Sequence, residues 1–242
     1  MEFLHNVTGT PGFSARSAVK CGEHHDKGDS GPCNAPGADP QTCGWVNSTA
    51  CYRGVDDGSA PCCWVWKRDT SSDEVDGHVA SFAVAHALLA ETPAEKARLA
   101  LTLCATVQYI VDGGLVYIDP LTGNRTTWGY WDPADLNGVP GKPGERGGNA
   151  LEVLGYLGVA SQVCESRVVS GSNPGSNSGS GSEQHIRVGG SFGALFTKLV
   201  TEDRYGSNIL NGHDTSPSSI AFFDYRLAFT SCRGPPGAFK RP

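Results

Sequence analysis

Apolar positions recur with helical spacing through much of the chain beyond residue 66, and the pattern predicts five helices. From Asp73 to Ala90 nearly every position is apolar or small, including Val75, Val79, Phe82, Ala83, Val84, Leu88 and Leu89. That is the pattern of a helix buried on most sides. The next segment has an orderly start, with Thr92 as N-cap, Pro93 in the first turn and Glu95 three residues after the cap. Its apolar stripe (Leu99, Leu103, Val107, Ile110) is one-sided, and Gly113-Gly114 stops it. Asn149 to Cys164 is apolar almost all round, with Glu152 as its only acid. Phe192, Leu195, Phe196, Leu199 and Val200 mark a further one-sided helix, and a last one runs from Ser216 to about Cys232. Between the second and third helices, Leu115–Asp119 and Arg125–Trp128 flank Pro120–Asn124, which predicts a β-hairpin with a five-residue loop.

Helices that alternate between buried and amphipathic are expected where α-hairpins surround an axis, inner helices being walled in by outer ones. A plain four-helix bundle would repeat one stripe on every helix. The expected fold is therefore mainly α: a partial (α/α) toroid of antiparallel helical hairpins, with a small β-hairpin and a disulfide-rich N-terminal loop region. Residues 1–65 read as cysteine-rich and loop-dominated, and 66–232 as the toroid-like domain. Within the latter, 170–182 reads as a flexible Gly/Ser loop, and 233–242 reads as a disordered tail.

Composition narrows the function. The 242 residues carry a net charge of −6, which argues against a nucleic-acid partner, because phosphate binding needs a basic surface. No apolar run is long enough to predict a transmembrane segment. Six of the nine cysteines (Cys21, Cys33, Cys43, Cys51, Cys62, Cys63) lie in a Gly/Pro/Asp-rich segment with little to bury. Such a segment predicts disulfides and an oxidising compartment better than zinc. Cys104, Cys164 and Cys232 fall in helical patterns and read as buried thiols. Three sequons, beginning at Asn6, Asn47 and Asn124, agree with a secreted or extracellular glycoprotein. The start Met1–Asn6 shows no signal peptide, so a secreted chain of this kind reads as a piece of a longer precursor or as an incomplete gene model.

The densest chemistry lies in Trp64–His78, where Asp69, Asp73, Glu74, Asp76 and His78 crowd the start of a helix. Two readings stand side by side. Thr70-x-x-Asp73 and Ser71-x-x-Glu74 are capping-box spacings, and acids in a first turn suit the helix dipole. Alternatively, Glu74 and His78 share a face four residues apart, and a partly desolvated acid there suits general acid catalysis. Asp69 and Asp73 admit an irregular calcium site, although an EF-hand fails because glutamate stands where its glycine should be; no other cofactor is expected. Glycosidases need a second carboxylate about 5–10 Å away. Asp132 and Asp135 are its source, beside Trp128, Tyr130 and Trp131, whose rings would bind a sugar face. Turn and cap chemistry for the aspartates, and core filling for the aromatics, remain equally open. Asn149 either reaches the same site or caps its helix.

The string Trp66-Lys67-Arg68-Asp69-Thr70-Ser71-Ser72-Asp73-Glu74, followed by Gly77-His78, resembles uncharacterised secreted proteins that look like six-hairpin (α/α)-toroid glycosidases. The resemblance extends to Val7–Ser17, Thr126–Pro133, Asp135-Leu136-Asn137, Glu145–Ala150 and Tyr205-Gly206-Ser207-Asn208. Arg68 departs from it, standing where glycine is expected, as do the cysteine-rich insert and the Gly/Ser loop. The resemblance implies the toroid fold and a carbohydrate partner. The expected function is a glycoside hydrolase-like enzyme or a fragment of one, with a polysaccharide lyase using His78 and Tyr130 as a variant. The rivals are a non-catalytic glycan-binding or cell-surface module and a truncated inactive copy.

Overall fold

The computed structural model describes residues 2–20, 45–48, 64–138, 145–164 and 191–210. These are mostly helical, with two small antiparallel sheets. The six cysteines between 21 and 63, the Gly/Ser segment 170–182, the predicted helix from Ser216 and the tail 233–242 lie outside the described residues. The chain divides into two compact units: Met1–His78 with Gln108–Tyr130, and Val79–Val107 with Trp131–Pro242.

In the first unit a short helix α1 (Glu2–Asn6) precedes strand β1 (Ser17–Lys20). Strands β2 (Trp45–Asn47) and β3 (Trp64–Lys67) complete a sheet in which β3 is central and antiparallel to both neighbours. Ala18 and Val46 both pair with Trp66. A loop-dominated N-terminal region therefore contains an ordered sheet that the Gly/Pro-rich sequence does not announce. Trp66 is buried beside Phe13, their rings 6.0 Å apart. Phe13 in turn stacks on Tyr117 at 4.7 Å, so the sheet and the hairpin share one aromatic core. The buried Tyr117 hydroxyl accepts from the Ser14 amide at 2.6 Å and donates to the Gly12 carbonyl at 3.0 Å, satisfying both of its roles.

The hairpin pairs β4 (Val116–Ile118) with β5 (Arg125–Tyr130), as the sequence predicts, and carries a register irregularity between Val116 and Ile118. Gly129 is required here. A Cβ on it would lie 2.5 Å from Thr126 Oγ1 and 2.6 Å from Tyr117 Cβ.

Helix α2 spans Ser72–Val84 and α3 spans Pro93–Asp112. The start of α3 carries the predicted capping box: the Glu95 amide donates to Thr92 Oγ1 at 3.2 Å, and Glu95 Oε2 accepts from the Thr92 amide at 3.0 Å. The segment 73–90 departs from expectation at its end. After Val84 the chain winds into a π-helical turn, Ala85–Leu89, closed by Ala90 N–H to Ala85 O at 2.8 Å. Leu88 and Leu89 are exposed, so a segment expected to be buried on most sides is not buried at its last turn.

The second unit is built on α5 (Arg146–Val163), which packs against α4 (Pro133–Asn137), α6 (Phe192–Thr201) and α7 (Tyr205–Leu210). Val153, Leu157 and Ala160 are buried along it, as its apolar sequence requires. Helices α4 and α7 are not predicted by the sequence pattern, each being too short to show a helical period. Cys104 and Cys164 are not thiols: they form a buried disulfide across 60 residues. Their helical context concealed the pairing, which depends on two helices meeting in space. No helix among the described residues is long and apolar enough to cross a membrane.

Candidate functional site: the Asp132–Asp135 pair

Asp132 is held at the head of α4. Its Oδ1 accepts from the amides of Ala134 (2.9 Å) and Asp135 (3.0 Å), and Pro133 occupies the first helical turn. The residue before it is fixed from two sides. The Trp131 indole N–H donates to Glu152 Oε2 at 2.8 Å, and the Tyr205 hydroxyl donates to the Trp131 carbonyl. Trp131, Glu152 and Tyr205 are all buried. Asn137 Nδ2 then donates to the Asp203 carbonyl at 2.7 Å, and Asn208 Nδ2 to Asn137 Oδ1 at 2.9 Å, which ties α4 to the start of α7.

Electrostatics single out Asp132. Burial raises its carboxyl above the ordinary aspartate value, and the Asp135 carboxyl raises it further, both as a like charge and as a hydrogen-bonding partner. The amide bonds from Asp135 and Ala134 oppose the rise without cancelling it. Asp132 Oδ2 is buried without a hydrogen-bond partner, while Oδ1 is taken by the two amides. Tyr205 feels the same charges: burial, then Asp132 and Asp203, push its hydroxyl pKa upward and keep it protonated as a donor.

The acid-rich segment belongs to the first unit, and most of its groups have structural employment. Glu74 Oε2 accepts from the Ser71 amide at 2.7 Å and from the Ser71 hydroxyl, and Oε1 lies 3.5 Å from Arg16 Nε. This is the capping reading realised. Asp73 is exposed at the first turn. Asp69 Oδ1 accepts from the Thr127 amide at 2.9 Å, so the segment does adjoin the tryptophan-bearing hairpin. Arg68 Nε lies 3.4 Å from Asp119 Oδ2 and braces the hairpin turn. Among the described residues no cluster of three or more His, Cys, Asp or Glu side chains is placed to hold a metal ion.

His78 turns to a partner that the sequence did not suggest. Its Nδ1 lies 3.0 Å from His5 Nε2, and both rings are buried. One neutral imidazole must donate to the other. Burial lowers the His5 pKa to about 3, with His78 adding to the fall. Burial likewise lowers His78 to about 4, against the pull of Glu74. The pair locks α1 onto α2.

The aromatic cluster divides. Trp128 is 51% exposed on β5, whereas Tyr130 and Trp131 are buried at 1% and 0% and cannot stack on a sugar ring. Their large apolar bodies fill cores instead. Asn149 does not cap α5, which begins three residues earlier at Arg146; it is buried within the first turns. The sequence reading did not assign functional parts to Glu152 or Tyr205. One signal was visible for the first, since a lone acid in an otherwise apolar helix needs a buried partner.

Comparison with protein-family models, with curated proteins and with solved structures finds no match for this chain. The toroid resemblance therefore rests on the quoted motifs.

Proposed function

We propose that this chain is a secreted carbohydrate-active protein of (α/α)-toroid type, most simply a glycoside hydrolase-like enzyme, in which Asp132 is the proton donor. What carries this reading is the Asp132 carboxyl, whose second oxygen is buried without a hydrogen-bond partner and whose pKa burial and the Asp135 charge raise. A general acid works best with a raised pKa, and burial and a second acid both act on Asp132 in that direction. The Asp135 charge adds to the rise that burial causes at Asp132. Asp203, whose charge acts on the same Tyr205 hydroxyl, takes the part of the partner carboxylate. Glu74 caps α2 and lies beside the Arg16 guanidinium; Asp132 also caps its helix, but through Oδ1 alone, which leaves its buried Oδ2 without a hydrogen-bond partner. The Cys104–Cys164 disulfide supports an oxidising compartment.

The test is turnover on a panel of neutral and acidic glycans with Asp132→Asn, Asp135→Asn and Glu74→Gln. Asparagine keeps the cap that Asp132 provides, so Asp132→Asn isolates the proton. Loss of about 100-fold or more in Asp132→Asn, with Glu74→Gln active, supports the assignment. Equal activity of Asp132→Asn and the parent removes it. A second reading, a non-catalytic glycan-binding module, is favoured by the burial of Tyr130 and Trp131 and by the capping role of Glu74. Glycan binding without turnover, lost in Trp128→Ala, selects it.

A further inference from the structure

The loop between β4 and β5 carries the sequon Asn124-Arg125-Thr126, and its backbone is tied down locally. The Asp119 amide donates to the Asn124 carbonyl at 2.7 Å, and the Gly123 amide donates to the Asp119 carbonyl at 2.9 Å. The Leu121 amide donates to Asp119 Oδ1 at 3.0 Å, and the Asn124 amide donates to Thr122 Oγ1 at 3.3 Å. Gly123 supplies the left-handed φ of 69° that closes the turn. Residues 121–125 are all exposed. Among the described residues the Asn124 carboxamide makes no hydrogen bond, so the backbone is spent on the loop and the side chain is not.

The other two sequons are placed differently. Asn6 closes α1 between the buried His5 and Val7, and Asn47 ends strand β2, where it pairs with Val65 in the sheet. A bulky hydrophilic substituent is accommodated best where several consecutive residues already face solvent, and a surface loop provides that. Only Asn124 of the three begins in such a loop. The hydroxyl of its sequon sets the order of events. Thr126 is buried, and its Oγ1 accepts from the Gly129 amide at 3.2 Å. A transferase must reach that hydroxyl, so addition precedes closure of the hairpin, and the finished loop leaves the substituent outside.

We propose that Asn124 bears an N-linked oligosaccharide, an inference that rests on the secreted reading above. Asn124 Nδ2 attacks the anomeric carbon of a lipid-linked oligosaccharide diphosphate. The new C–N bond replaces the C–O bond to the diphosphate, which leaves with its lipid, and the amide gives up one proton. The glycan covers Leu121, which is 57% exposed on the same loop.

The test expresses the full chain behind a cleavable secretory leader in a eukaryotic host. Secreted and cell-retained material are both treated with peptide N-glycosidase in heavy-oxygen water. The enzyme converts a glycosylated asparagine into a labelled aspartate, which peptide mass spectrometry locates. Label at Asn124 is expected. Asn124→Gln, an exposed substitution, loses the mobility shift that the enzyme removes from this loop. Thr126→Ser keeps the hydroxyl and retains the shift, whereas Thr126→Ala loses it. Because addition precedes folding, a variant that folds poorly still reports through the cell-retained chain. Unlabelled Asn124, or label confined to Asn6 or Asn47, overturns the proposal. The leader supplies entry to the compartment, so missing label counts against this residue and not against secretion. Asp132→Asn leaves the label in place, which separates the result from the proposed hydrolase activity.

Discussion

Glu152 accepts the indole N–H of Trp131 at 2.8 Å in the interior of the second unit, and both side chains are buried. The bond explains why an acid stands in an otherwise apolar helix. It also fixes the residue immediately before Asp132. Replacing Glu152 by Leu leaves a buried indole donor unsatisfied, and the cost is about 1–3 kcal/mol. Glu152→Gln keeps an acceptor and costs less. Chemical denaturation of the two variants measures the difference, and equal stability of both would show that the bond contributes nothing.

The His5–His78 pair makes stability depend on acid. Both folded-state pKa values are depressed, to about 3 and about 4, from an ordinary value near 6.5. The unfolded chain therefore binds protons that the folded chain refuses, and stability rises with pH across that interval. As pH falls below about 6.5 the contribution is lost, at up to about 2.7 kcal/mol per pH unit while both rings differ in charge. The loss levels off below about 3, where the folded rings also charge. Urea midpoints between pH 7 and 4 measure the slope. In His5→Phe/His78→Leu it flattens.

The Cys104–Cys164 disulfide closes a loop of 60 residues. Loop-closure entropy then predicts a loss of about 4 kcal/mol on removing it. Cys104→Ala/Cys164→Ala, whose alanines leave no thiol behind, gives the comparison under denaturant. A change below about 1 kcal/mol would mean that the two helices are held together by packing alone.

Two glycines in the first unit differ in what surrounds them. Gly129→Ala puts a methyl 2.5 Å from Thr126 Oγ1 and 2.6 Å from Tyr117 Cβ. It destabilises by about 1–3 kcal/mol as the hairpin shifts. Gly77, inside α2, has nothing within 4 Å of its would-be Cβ. Gly77→Ala stabilises by about 0.5–1 kcal/mol through helix propensity. Thermal melts of the pair should move in opposite directions.

What the sequence made legible was local. The box of Thr92 and Glu95, the stop at Gly113-Gly114, the hairpin around Pro120–Asn124 and the apolar run of α5 each depend on neighbours a few residues away, and each is present. The partners of the chemical side chains are remote, and that is where the reading fell short. His78 meets His5 across 73 positions, and Tyr205 reaches Trp131 across 74. Spacing on one helix face paired His78 with Glu74, but the Ser71 amide and hydroxyl claim that carboxylate first. The burial of Tyr130 and Trp131 was equally invisible, because aromatic residues at a strand end suit a core and a sugar face alike. The sheet of β1, β3 and β2 joins short strands from widely separated stretches, so no single window of sequence shows it.

The proposed role of Asp132 depends on a carboxyl pKa raised above the ordinary aspartate value. Carbon-detected NMR of selectively labelled aspartate follows that carboxyl through a pH titration, in the parent chain and in Asp135→Asn. Asp132 is expected to titrate above the ordinary aspartate range and to move down when Asp135 loses its charge. A midpoint at the ordinary value, unmoved by Asp135→Asn, would contradict it.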